Sequence, residues 1–311
     1  MKMLFSRKRL FCVTLDIIIQ HWSEEKMPFD YKLNNIDFIE NDGKALIGIH
    51  QNDVDCYYPW EKPIVPSTIK YVLMDLDGTS VKSEEFWVYI IEKTTAKLLG
   101  DPSFHLVPED APYVQGFSTA EHLAYCKKKY GFKQSIVEAS SLYHVVAKEE
   151  LLAAQNGTGK ENAFVPREGL KDFLTYLKSK GIKIGLVTSG LDYKAIPEIV
   201  SAFRTLDMGD PLKFYDAIIT GGRRKEPGQY GTIGEFAVKP HPWVYKEIAG
   251  GLGVKDNKEA IVIEDSSAGV ISGKLAGFPV IGFNDGNIIE SKLDKDCYKM
   301  VSSFDDIKKI I

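Results

Sequence analysis

From residue 70 onward the chain alternates two hydrophobic patterns. Short apolar runs at Tyr71–Met74, Ile182–Val187, Tyr215–Thr220, Ala260–Ile263 and Val280–Phe283 have the length and continuity of strands buried on both faces. Between them lie stretches with apolar residues at helical spacing. In Glu84–Leu99 these are Phe86, Ile90, Ile91, Ala96, Leu98 and Leu99. Further helices are predicted over 118–130, where Ser118 and Glu121 form a capping box, over 134–154, and over 166–179 with Pro166 at its start. Others follow at 192–203, 242–250 and 267–276. Strands alternating with helices predict an α/β fold, a doubly wound parallel sheet of Rossmann-like type.

The part before residue 67 has a different pattern. Phe38–His50 alternates as a hairpin with Asp42-Gly43 at its turn, and Pro59, Pro63 and Pro66 form a linker. Lys2, Arg7, Lys8 and Arg9 ahead of Leu10–Ile19 have the outline of a signal peptide. Asp16 interrupts that apolar run, no small-residue cleavage site follows, and the run is shorter than the ~20 residues a bilayer span needs. The expectation is a cytoplasmic protein whose first 26 residues form a helix or a disordered tail, or precede a true start at Met27.

The chemistry-bearing residues fall at strand ends. Tyr71-Val-Leu-Met-Asp-Leu-Asp-Gly-Thr79 closes an apolar strand with two aspartates spaced two apart, so Asp75 and Asp77 leave it toward one side. Gly78 permits the sharp turn that follows. Paired carboxylates there suit a hard divalent cation and acid–base chemistry; taken alone they also fit a solvated loop end. Ile182-Lys-Ile-Gly-Leu-Val-Thr-Ser-Gly190 ends a second strand in Thr188 and Ser189. Val238-Lys-Pro-His-Pro242 sets Lys239 before a helix. Ala260-Ile-Val-Ile-Glu-Asp265 ends another strand in Glu264 and Asp265. In an open parallel sheet that edge is where ligands bind.

These four motifs, in this order, resemble those of the haloacid dehalogenase superfamily, and the resemblance covers roughly residues 68–311. It implies an α/β core made of 67–83 and 161–311, a helical C1 cap inserted at 84–160 after the first core strand, and an extension at 1–66 outside the family plan. It implies Asp75 as nucleophile and Asp77 as general acid and base. Asp77 also favours phosphoryl transfer, since carbon–halogen-cleaving members lack an aspartate there. Thr188, Ser189 and Lys239 are the implied phosphate-binding groups. Mg²⁺ is the implied cofactor, held by Asp75, Asp265 and the Asp77 carbonyl, with Glu264 ligating or standing behind. Each residue also has a plainer role open to it: Asp75 as a metal ligand only, Asp265 as a helix N-cap, Thr188-Ser189-Gly190 as an ordinary turn, Lys239 as a solvated lysine. One departure is Ser80-Val-Lys82-Ser83, where Lys82 stands at the family's customary aspartate. The implied activity is a Mg²⁺-dependent phosphatase for a small phosphorylated metabolite such as a sugar phosphate. A phosphomutase of the β-phosphoglucomutase type is the alternative, and a non-catalytic binding protein the third reading.

Composition changes this picture little. Hydrophobic content of 44%, charged content of 26% and net charge −4 are those of an ordinary globular protein, and give no reason to expect a nucleic-acid or membrane partner. A phosphate site must therefore be locally positive. Cys12, Cys56, Cys126 and Cys297 form no metal-binding spacing and are expected to be reduced. The basic run Arg223-Arg224-Lys225 in a glycine-rich loop, and Gly116-Phe117-Ser118 in the cap, are positioned to reach a substrate or to serve as solvated loop and cap packing.

Overall fold

The computed structural model describes residues 31–33, 36–41, 44–51, 54–114, 119–221 and 238–311. The expected N-terminal tail with Cys12, the Asp42-Gly43 turn, the Ser118 capping box, Phe117 and the Arg223–Lys225 run lie outside these residues. The chain divides into two compact units, Met1–Glu61 and Lys62–Ile311, a little before the boundary expected after residue 66.

The first unit is an antiparallel meander in the order β1 (Tyr31–Leu33), β2 (Ile36–Asn41), β3 (Lys44–Gln51) and β4 (Val54–Pro59). The hairpin read from the sequence is its middle pair, in register from Ile36↔Ile49 to Asn41↔Lys44. The alternation buries Ile36, Phe38, Ile47 and Ile49 on one face, with Trp60 edge-on to Phe38 at 5.5 Å. The linker expectation missed β4, because Val54–Pro59 carries polar and apolar residues without a long apolar run. Its proline sits at the strand end, where no ladder N–H is required.

The second unit holds a six-stranded parallel sheet. In chain order its strands are β5 (Tyr71–Asp75), β8 (Lys183–Val187), β9 (Ala217–Ile219), β10 (Ala260–Glu264), β11 (Val280–Phe283) and β12 (Lys299–Val301). In space the order is β12-β11-β10-β5-β8-β9. The chain winds outward from β5 through β8 to β9, crosses back to β10 beside β5, then winds outward the other way. Leu73, Met74, Val187 and Ile261–Ile263 are wholly or almost wholly buried, as a sheet covered on both faces requires. The cover comes from α5 (Leu170–Ser179), α6 (Asp192–Thr205) with the one-turn α7 (Pro211–Phe214) after it, α8 (Trp243–Leu252), α9 (Ser267–Leu275) and α10 (Phe304–Lys308). Gly185 on β8 lies so close to Ile248 and Leu252 of α8 that a Cβ would meet the Ile248 side chain at 2.8 Å.

A two-stranded flap joins the end of β5 to the rest. β6 (Val81–Lys82) pairs antiparallel with β7 (Val165–Pro166). This corrects the helix expected from Pro166. Pro166 is a strand residue, and Gly169 at φ 78° delays the helix to Leu170.

Between the flap strands run α1 (Glu84–Leu99), α2 (Ala111–Val114), α3 (Thr119–Tyr130) and α4 (Ile136–Asn156). Ser135 and Glu138 form the capping box of α4. Buried Asp110 ties this layer together. It accepts from Tyr125 and Lys129 at 2.6 Å each, from the Val107 amide at 2.8 Å and from the Tyr130 hydroxyl. Burial alone would raise its carboxyl. The lysine, the two tyrosines and the amide outweigh burial and bring it down to about 2. A depressed carboxyl stabilises the fold above its unfolded value near 4, and that stabilisation is lost as pH falls through about 2. Asp110→Asn is expected to cost roughly 1–3 kcal/mol at pH 7. Chemical denaturation at pH 7 and pH 2 checks this: the gap between variant and native protein should close at the acid end, and a gap independent of pH would refute the charged-acceptor account.

Among the described residues no helix is long and apolar enough to cross a membrane, and Cys56, Cys126 and Cys297 are free thiols.

Candidate active site

β5 and β10 are spatial neighbours but far apart in sequence, and the winding reverses between them. Their carboxyl ends therefore open a crevice at the switch point of the sheet. Asp75 ends β5, Glu264 ends β10, and Asp265 follows it. One carboxylate oxygen from each of the three lies within 4.8 Å of the others. Gly78 turns the chain at φ 80°, its amide donating to the Val81 carbonyl at 2.7 Å. A Cβ there would meet Asp265 Oδ2 at 2.0 Å, so only glycine allows this approach. Gly269 gives Glu264 the same room: a Cβ would fall 1.8 Å from the Glu264 carboxyl carbon.

Lys239 closes the cluster from beneath. Its ammonium is ion-paired with Asp75 and, at 2.6 Å, with Glu264; all three side chains are buried. Glu264 also accepts from Tyr245 at 2.5 Å and Ser266 at 3.2 Å. Both of its oxygens are thus committed within the protein, and it anchors Lys239. Asp75 accepts from Lys239 on Oδ1, leaving Oδ2 without a hydrogen-bond donor among the described residues. Burial first, then the Glu264 charge, hold the Asp75 carboxyl well above its ordinary value against the pull of Lys239. The same two causes raise Asp265 to about 7, opposed by the hydrogen bond from Thr79. Burial would lower the Lys239 ammonium, but Asp75 and Glu264 prevail and hold it above its ordinary value.

Asp77 stands apart from this cluster, exposed to the crevice. It accepts from Ser83 at 2.9 Å on one oxygen and from Thr188 at 3.4 Å on the other. Thr188 in turn accepts from the Gly190 amide at 2.9 Å, at the turn into α6. Ser189 accepts from the Lys239 amide at 3.0 Å and so ties the lysine's backbone to the end of β8. The structure thus brings Asp75, Asp77, Thr188, Ser189, Lys239, Glu264 and Asp265 to one crevice.

The N-cap role left open for Asp265 is corrected. Ser266 caps α9, accepting from the Gly269 amide at 3.1 Å. That frees Asp265 to face Thr79.

Two residues were missed. Buried Arg167 forks onto Asp285 with both nitrogens at 3.0 Å, donates to the carbonyls of Gly78 and Thr79, and stacks 3.9 Å from the centre of the Phe283 ring. It clamps the turn carrying Asp77 to the end of β11. Asp285 follows a parallel strand, so the strand-end rule that exposed Asp75 and Asp265 would have found it. Arg167 carries no sequence signal, because it follows a two-residue strand. Lys82, the departure from the family pattern, lies 3.5 Å from Asp285 in the same rim.

A cavity of about 570 Å³ rises from this crevice between the sheet edge and the inserted helices, lined by Asp77, Arg167 and Asp265 below and by Trp87, His122 and Tyr143 above. The volume is that of a small-molecule site.

A doubly wound sheet with an acidic cluster, a buried lysine and an exposed aspartate at its switch point defines an α/β protein with a ligand site at its carboxyl edge. Residues 69–277 match the model of the haloacid dehalogenase-like hydrolases, and the chain belongs to that family. Over 224 residues it is 27% identical to a phosphorylated carbohydrates phosphatase of Thermotoga maritima, covering 70% of this chain and 88% of the relative. Over 235 residues it is 26% identical to a validoxylamine A 7'-phosphate phosphatase of Streptomyces hygroscopicus subsp. limoneus, covering 73% and 91%. The solved structure of CbbY from Rhodobacter sphaeroides in complex with phosphate shares the fold, with TM-score 0.55 at 19% identity, over 77% of this chain and 96% of that one.

Proposed function

We propose that the protein is a Mg²⁺-dependent phosphatase that hydrolyses a small phosphorylated metabolite, a sugar phosphate, through a phosphoryl group carried on Asp75. The observation that carries this reading is the division of labour between the two aspartates. Asp75 is buried on Lys239 with its second oxygen uncommitted, while Asp77 faces the cavity on two hydroxyl donors. Family membership and the phosphatase names of the two relatives described above support it.

The cluster fits the metal. Three carboxylates share one ammonium, so negative charge is left uncompensated at the crevice floor. An all-oxygen set of this kind suits Mg²⁺. Asp75 and Asp265 would hold the ion, with Glu264 behind them, and it would supply compensation for charge on the phosphoryl oxygens.

The residues themselves do the rest. Asp75 attacks phosphorus through Oδ2 while Lys239 holds Oδ1 and neutralises gathering charge. Asp77 gives a proton to the departing alkoxide, then takes one from the water that cleaves the acyl phosphate. Ser83 and Thr188 fix its two oxygens. Thr188, Ser189 and the amides at the start of α6 supply donors for the phosphoryl oxygens. The inserted helices roof the cavity and limit water.

The test is phosphate release from p-nitrophenyl phosphate and a panel of sugar phosphates, with Mg²⁺ and after chelation. Release should fall by at least ~100-fold without metal and return when Mg²⁺ is restored. Undiminished release after chelation would sink the metal-dependent mechanism. No release from any ester, with conversion of glucose 1-phosphate to glucose 6-phosphate, would favour the mutase instead.

A further inference from the structure

We propose that Lys194, on the first turn of α6, is a specificity residue that receives a second anionic group, a carboxylate or another phosphoryl, on the leaving part of the substrate. This rests on the phosphatase reading of the same cavity.

Lys194 lines the cavity that Asp77 also lines, so one molecule can touch both. Its ammonium makes no ion pair with any described carboxylate, although Glu198 follows four positions later on the same helix face. It is instead boxed by aromatic rings: 4.6 Å from the centre of Trp87, 5.9 Å from Tyr143 and 6.0 Å from Tyr193. Such a box orients a cation without neutralising it. Burial draws the ammonium below its ordinary value, opposed by the charges of Asp77 and Glu198, so an anion arriving beside it would favour the charged form further.

A second observation points the same way. Lys148 lies 5.5 Å from the centre of the Tyr193 ring, and the Tyr193 hydroxyl lies 3.4 Å from His144 Nδ1. Three basic side chains thus gather around Tyr193, and of these Lys194 reaches the cavity, whose floor carries Asp77 and Asp265. Burial first, then the charges of Lys194 and Lys148, hold His144 below its ordinary value. A phosphoryl group at the acidic end needs Lys239 and a metal. An anion beside Lys194 finds a cation already in place.

The experiment measures affinity rather than turnover. Isothermal titration calorimetry with Mg²⁺ compares the Asp75→Asn protein with Asp75→Asn carrying Lys194→Met or Lys194→Arg. The ligands form two pairs, fructose 1,6-bisphosphate against fructose 6-phosphate, and 6-phosphogluconate against glucose 6-phosphate. At least one doubly anionic ligand should bind ~10–100-fold more tightly than its partner, as a charge-assisted hydrogen bond provides. The pair showing the preference tells phosphoryl from carboxylate. Lys194→Met should bring the ratio near one, and Lys194→Arg should retain most of it. A ratio near one before substitution, a ratio indifferent to Lys194→Met, or no binding of any ligand would overturn the proposal and leave Lys194 as packing for the aromatic rings. A native protein that releases no phosphate while the preference survives would overturn the phosphatase reading alone.

Discussion

Asp75→Asn is expected to lower phosphate release roughly 10⁴- to 10⁶-fold, the loss typical of removing a covalent nucleophile. The substitution is nearly isosteric. Its amide oxygen can still accept from Lys239, which occupies Oδ1 in the native site. The fold should tolerate it, because three carboxylates and a single buried ammonium crowd this floor and the variant removes one negative charge. The melting temperature should therefore stay within a few degrees of native or rise. Assaying phosphate release beside a thermal scan separates lost chemistry from lost structure. A stable variant retaining a tenth of native activity would remove Asp75 from the nucleophile's role. In that case the carboxylate serves only as a metal ligand.

The strand-end aspartates were legible because of where apolar runs stop. A run buried on both faces announces a central parallel strand, and a carboxylate at its exit cannot be core packing. Asp75, Glu264 and Asp265 all carry that signal, and the structure sets them together at the switch point. Thr188 and Ser189 carry it too, though their division of labour does not. Which hydroxyl faces Asp77 and which holds the Lys239 backbone depends on the turn between β8 and α6. Lys239 and Asp75 are 164 positions apart, and nothing local to either reveals their contact.

The misses have related causes. β7 spans two residues, too few to show any period, so Pro166 was placed in a helix and Arg167 behind it stayed unseen. β12 and β4 lack the continuous apolar run by which the other strands were recognised. The aromatic box around Lys194 draws on α1, α4 and α6, so only the assembled fold displays it.

Asp77→Asn should divide substrates by their leaving groups. A sugar alkoxide leaves with difficulty unless protonated, so release from sugar phosphates is expected to fall ~10²- to 10⁴-fold, the usual contribution of a positioned general acid. p-Nitrophenolate needs no proton to depart, so the first step on that ester should be nearly spared. The second step is not spared, because the same carboxylate activates the water. The variant should therefore release about one equivalent of p-nitrophenol per site in a rapid burst and then turn over slowly. Asp77 meets the geometric demands of both tasks. It is exposed to the cavity, and Ser83 and Thr188 hold its oxygens in place. Rapid-mixing absorbance on p-nitrophenyl phosphate reads the burst directly. Equal losses on both substrate classes with no burst would mean that Asp77 serves the metal or the turn rather than the proton.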